Sequence, residues 1–123
     1  MSVTIGETFV AALAAKDAAG LRAVLDPSLD FRALTPGKFW EASSADQVVD
    51  EIVLRHWFEP TDHITGITSV DTGDVAHRHR VSYRLAVTNG DGEHVVEQQA
   101  YYETDGERIT WLRILCAGFL PVG

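Results

Sequence analysis

The sequence predicts an α+β domain, with helices from the first half of the chain packed on an antiparallel sheet from the second half. Three observations predict it. Apolar residues recur at helical spacing in three segments between Thr4 and Pro60, the spacing changes to two from Ile64 onward, and turn-forming clusters divide that second half into four strands. With 123 residues, 46% hydrophobic and 23% charged, the chain is read as one domain, residues 1–123, with a single core.

Thr4 and Glu7 have the spacing of a capping box, which opens a helix running to about Lys16. Ile5, Phe9 and Leu13, with Val10 and Ala12 beside them, give it one core-facing stripe. Asp17 caps a second, short helix that turns Leu21, Val24 and Leu25 inward and stops at Asp26-Pro27, because proline disfavours helix in the residue before it. Leu29 to Leu34 reads as a strand, Thr35-Pro36-Gly37 as a turn, and Phe39-Trp40 as a return to extended chain. Ser44 with Gln47 opens a third helix, closed by Pro60, in which Val49, Ile52, Val53, His56 and Trp57 share the apolar face.

Turn signals then stand at Asp71-Thr72-Gly73-Asp74, Asn89-Gly90-Asp91-Gly92 and Asp105-Gly106. In the longest strand Val75, His77, His79, Val81, Tyr83, Leu85 and Val87 share one face, and Arg78, Arg80, Ser82, Arg84 and Thr88 the other. Folding about Gly90-Asp91 sets Arg84 against Glu97 and Arg78 against Glu103, so opposite charges meet on the outer face. The same register pairs Tyr83 with Gln98 and His79 with Tyr102 on the core face. For the last hairpin a three-residue loop is expected, placing Arg113 beside Glu97 and not in the core, where an unpaired Arg is costly.

The order helix, short helix, strand, helix and four long strands, with Phe9-Val10-Ala11-Ala12-Leu13 followed by Asp17 and Leu21, resembles the nuclear transport factor 2-like (NTF2-like, SnoaL-like, cystatin-like) superfamily. The resemblance implies three helices on a strongly curved antiparallel sheet around a cone-shaped apolar pocket. Relatives named by it include ketosteroid isomerase, limonene epoxide hydrolase, scytalone dehydratase and the SnoaL-type cyclases. The isomerase's tyrosine on the first helix falls at Phe9, and its two aspartates fall near Ala33 and Ala100. Neither its carboxylate base nor its acids are therefore present at matching positions. The Asp-Arg-Asp set of the epoxide hydrolase has no core-facing counterpart around Arg113, and the acid–base aspartate of the cyclases is not evident.

The side chains expected in the pocket are His79, Tyr102 and Tyr83 as acid–base groups, Gln98 as the group that orients a ligand, and His56, Trp57, Phe9, Phe31 and Leu112 as its walls. An imidazole beside a phenol can take and give a proton near neutral pH. The expected function is that of a SnoaL-like small-molecule pocket protein, a lyase, isomerase or cyclase acting on a mostly apolar ligand. The alternative is a non-catalytic ligand-binding or dimeric interaction module in which the same residues are core. An open pocket on the order of several hundred Å³ lined by them favours the first, and a filled core the second.

No metal and no cofactor are expected: His77-x-His79 alone is a poor ligand set, and Cys116 stands without a second thiol. The net charge of -8 disfavours nucleic acid and anionic membranes. No apolar run approaches the roughly 18 residues of a membrane span, and Met1–Gly6 lacks a leader pattern, so a cytoplasmic location is expected. Val95, Tyr101, Ile109, Trp111 and Leu115 are expected on the outer sheet face, which predicts a homodimer centred on Trp111 and Tyr101.

Overall fold

The computed structural model describes residues 4–122. In chain order the elements are α1 (Ile5–Ala14), α2 (Ala18–Val24), β1 (Leu25–Thr35), β2 (Lys38–Ala42), α3 (Gln47–Trp57), β3 (His63–Val75), β4 (Arg78–Asn89), β5 (Gly92–Thr104) and β6 (Ile109–Pro121). The strands form one sheet in the order β2-β1-β6-β5-β4-β3, with the helices on its concave face. The sheet is not wholly antiparallel as expected, because β1 pairs in parallel with β6. The chain reaches β1 from α2, on the helix layer, and so enters beside the last strand instead of following a hairpin.

The caps form as the sequence requires. Thr4 and Glu7 make a complete capping box on α1, the Asp17 carboxylate accepts from the Gly20 amide, and Ser44 Oγ accepts from the Gln47 amide. The third helix departs from expectation: it is wound as a π-helix, and the Phe58 amide donates to the Val53 carbonyl five residues back. Residues four and five apart then stack, which aligns Val48, Ile52 and Trp57, and beside them Val49, Val53 and Phe58, all buried. His56, expected on that face at α-helical spacing, is rotated into solvent.

The central hairpin follows the charge register. Arg84 pairs with Glu97, its Nε donating at 2.6 Å, and Tyr83 pairs with Gln98 and His79 with Tyr102. The expected turn at Asp71–Asp74 is strand instead, and the chain reverses at Ala76-His77. Its turn-like acids are satisfied across the ladder: Asp71 accepts from Arg80, and Asp74 bonds His79. Gly73 faces Arg80 there, and a Cβ would lie 2.7 Å from the Arg80 guanidinium, so the glycine serves a close approach and not a turn.

The last hairpin has a four-residue loop, Asp105 to Arg108, and not three. Arg113 lies on the outer face as expected but opposite Tyr101, not Glu97, and donates to the Asp30 carbonyl at 3.1 Å. A register shift between Glu103 and Thr104 turns Ile109 inward, where it is fully buried, so this residue leaves the outer face on which it was expected. A second shift near Gly118, with φ +87°, bends β6.

α1 is seated on the sheet by one polar contact: the Gly6 amide donates to the Tyr102 hydroxyl at 3.0 Å. A Cβ on residue 6 would lie 2.6 Å from that oxygen. Helix propensity alone makes Gly to Ala stabilising by about 0.5–1 kcal/mol. The collision reverses the sign, and Gly6→Ala is expected to destabilise by about 1–3 kcal/mol in urea unfolding. Gly66→Ala, with open space around its Cβ, is expected to be near neutral. A gain of stability from Gly6→Ala would contradict this packing.

Candidate functional site

The concave face brings together most of the side chains picked out in the sequence. Period-two alternation in β4 and β5 points Tyr83, Gln98 and Tyr102 at the helices, α1 lays Phe9 across them, and β1, β6 and α3 supply Phe31, Leu112 and Trp57. The Phe9 ring meets Tyr83 edge-on, with centroids 6.4 Å apart.

These groups are packed against one another. Phe9, Phe31, Tyr83 and Gln98 are each 1% exposed, so almost none of their surface meets space large enough for a water molecule. The Tyr83 hydroxyl donates to Gln98 Oε1 at 2.6 Å. Burial, with a smaller contribution from Cys116, holds the Tyr83 phenol well above its ordinary pKa of 10.0. Tyr102 is also raised, mainly by burial, with the bond from the Gly6 amide acting in the opposite direction. Two further polar side chains are buried without having been picked out in the sequence: Asp62, which accepts from the Glu59 amide and Asn89, and His94. Their signals, a loop acid and a strand residue near a turn, are common to many solvated positions.

The histidines lie at the rim. The His79 ring packs 5.2 Å from Tyr102, as the register requires, but its side chain is about half in solvent, and its Nδ1 is 2.8 Å from Asp74 Oδ1. That bond occupies Nδ1 and leaves Nε2 with no hydrogen bond among the described residues. His77, expected beside it, stands at the hairpin tip and reaches Glu103 at 3.4 Å instead, because it forms the turn with Ala76. His56 packs on Trp40 at 5.5 Å from outside the core. Among the described residues no group of three or more His, Cys, Asp or Glu is arranged to hold a metal ion.

One polar atom on this face is left over. Trp57 is 7% exposed, and its indole Nε1 is buried with no hydrogen-bond partner among the described residues. It sits in an aromatic group with Phe31 at 6.0 Å and Trp40 at 6.3 Å. Trp40 was not among the expected site residues, since nothing in its local sequence separates it from an ordinary strand residue. Open grooves lie at the surface: one of about 520 Å³ runs between β1, β2 and the start of α3, with Phe31, Glu41 and Gln47 in its wall. Another, of about 280 Å³, lies on the outer face along Ala33, Leu34, Phe39, Tyr101, Ile114 and Leu115.

No family model matches the chain, and no curated protein matches its sequence. Solved structures do. The chain is similar to an NTF2-like protein from Burkholderia thailandensis, with TM-score 0.65 and 18% identity over 91% of this chain and 87% of that one. It is similar to an LEH-like epoxide hydrolase from M. tuberculosis, with TM-score 0.65 and 18% identity over 91% of this chain and 79% of that one. A hypothetical protein of ketosteroid isomerase-like fold from Catenulispora acidiphila, in complex with trimethylamine, aligns with TM-score 0.68 and 14% identity over 93% of this chain and 85% of that one. At identities this low the likeness speaks for architecture, and together with the six-stranded curved sheet and its three covering helices it establishes that the chain has the NTF2-like fold.

Proposed function

We propose that the chain is a non-catalytic, dimeric small-molecule-binding module. One observation carries this reading: the hydroxyls of Tyr83 and Tyr102 are already engaged, with Gln98 and Gly6, inside a closed apolar core. Phenols raised above their ordinary pKa by burial are poor bases and weak acids near neutral pH.

A second reading, an acid–base centre at His79 and Tyr102, is favoured by the Asp74–His79 bond, since a carboxylate on one ring nitrogen orients the other for proton transfer. The two readings part on His79. Native mass spectrometry of the purified protein is expected to retain a small apolar molecule at equal occupancy in wild type and His79→Ala. Loss of that molecule in His79→Ala, with an unchanged thermal midpoint, would move the function to the imidazole.

The proposed dimer uses the outer sheet face. Trp111 is there, but Arg78 and Arg113 lie over its ring at 4.0 and 4.3 Å. The apolar surface left open is a row across three strands: Phe39 pairs with Leu34, and Leu34 with Leu115, at 50%, 49% and 52% exposure. Tyr101 borders it, and charges of both signs, Arg32, Glu41, Arg113 and Glu97, surround it, which suits pairing with an identical copy about a two-fold axis. Leu115→Glu is expected to yield a monomer by light scattering at micromolar concentration, whereas Arg108→Glu in the exposed loop keeps the dimer. A wild-type monomer under the same conditions would overturn the dimer.

A further inference from the structure

The sheet has two terminal strands, and they are finished differently. β2 is five residues long and carries Lys38 and Glu41, which discourage the addition of a strand. β3 is thirteen residues long, and from Ile64 to Val70 it holds neither a charge nor a proline. The backbone donors and acceptors along its outer side have no partner strand. Bulges at Thr65 and Thr68 interrupt its ladder with β4, and both hydroxyls turn back to β4, donating to the Ala86 and Arg84 carbonyls at 3.2 and 3.3 Å. The bulges also bring Ile64, Ile67 and Val70, spaced three apart, onto the concave side, opposite Val87, Leu85 and Tyr83. Without them period two would alternate these residues between the faces. Ile67 and Val70 are 41% and 39% exposed.

From this edge we infer that β3 docks a second copy of the chain, pairing antiparallel with its own counterpart about a two-fold axis at Ile67. The sequence of the strand is complementary to itself in that register. Ile67 meets Ile67 of the other copy, and Ile64 meets Val70, so the concave side sets aliphatic on aliphatic. On the convex side Thr65 meets Ser69 and His63 meets Asp71, so at both ends of the pairing an imidazole faces a carboxylate and no like charges are opposed. A slip of one or two residues either way sets Ile67 against Gly66, Thr68, Thr65 or Ser69 and breaks the aliphatic match. The edge lies at the opposite end of the strand order from the row of Phe39, Leu34 and Leu115, so this contact does not rest on the convex-face dimer. Pairing along one edge buries little surface, which makes it a weak contact that forms well above micromolar concentration.

Sedimentation of full-length Leu115→Glu between about 1 µM and 1 mM tests the edge with the convex row disabled. The apparent mass is expected to double across that range, and the amide NMR signals of Ile64–Val70 to move with concentration while those of β2 stay fixed. Ile67→Lys and Ile67→Glu, each added to that chain, should remain monomeric at every concentration, with circular dichroism confirming the fold. An equimolar mixture of the two should regain the doubled mass, because the axis sets lysine against glutamate only in the mixed pair. A monomer at 1 mM with Ile67 intact overturns the self-pairing and assigns the edge to a strand of another protein. A doubling that Ile67→Lys leaves untouched, or a mixture that stays monomeric, overturns the register. A wild-type monomer at micromolar concentration bears on the convex-face dimer alone.

Discussion

The hydrogen bond from the Gly6 amide to the Tyr102 hydroxyl ties the first turn of the chain to its fifth strand, 96 residues away, and the closed interior depends on it. A helix start carries backbone donors that nothing within the helix can satisfy. Here one of them is met by a phenol on the concave side of the sheet, which sets the height of α1 above β5 and allows only a glycine at the contact. With α1 at that height Phe9 reaches Tyr83, and Tyr83 is left with Gln98 as its partner. Each polar group on the face is thus met by another in the same layer, as exclusion of water demands. The Trp57 indole is the departure from that pattern.

The two faces of the sheet divide the work. The concave face spends its area on packing, with paired polar groups where β4 and β5 project tyrosine and glutamine. The convex face carries exposed ion pairs such as Arg84–Glu97, worth a few tenths to about 1 kcal/mol each, and these fix register more than they stabilise. Two guanidinium groups, Arg78 and Arg113, lie over the Trp111 ring. The uncovered row of Phe39, Leu34 and Leu115 is too apolar to be accounted for by solubility.

Much of the fold was legible in the sequence because its signals are local and repeat: capping residues, period-two strands, and opposite charges that agree on one register about Gly90-Asp91. The same register brought Tyr83 to Gln98 and His79 to Tyr102. The misses arose where tertiary packing overrode local preference. Period 3.6 put His56 inside, but packing wound α3 with i to i+5 bonds and carried it out. Asp71-Thr72-Gly73-Asp74 has turn composition, yet Arg80 and His79 across the ladder absorb its acids and hold it as strand. A bulge after Glu103 turned Ile109 inward, and no residue type there announces it. Closure of the interior, which separates a packed core from an acid–base pocket, is a matter of filled volume and has no sequence pattern.

The ionisation of the two buried phenols reads out that closure. Both have folded-state pKa values above the ordinary 10.0. Their contribution to stability is therefore fully present below about pH 10 and is lost as pH climbs through the folded values, because the unfolded chain ionises first. The chain has three tyrosines, so Tyr101→Phe leaves Tyr83 and Tyr102 as the only sources of tyrosinate absorbance. In that variant, absorbance at pH 10 should show less than half of the full two-tyrosine tyrosinate signal while the near-ultraviolet circular dichroism remains native. Half-ionisation near pH 10 with native dichroism would mean that water reaches the hydroxyls, and would contradict the closed core.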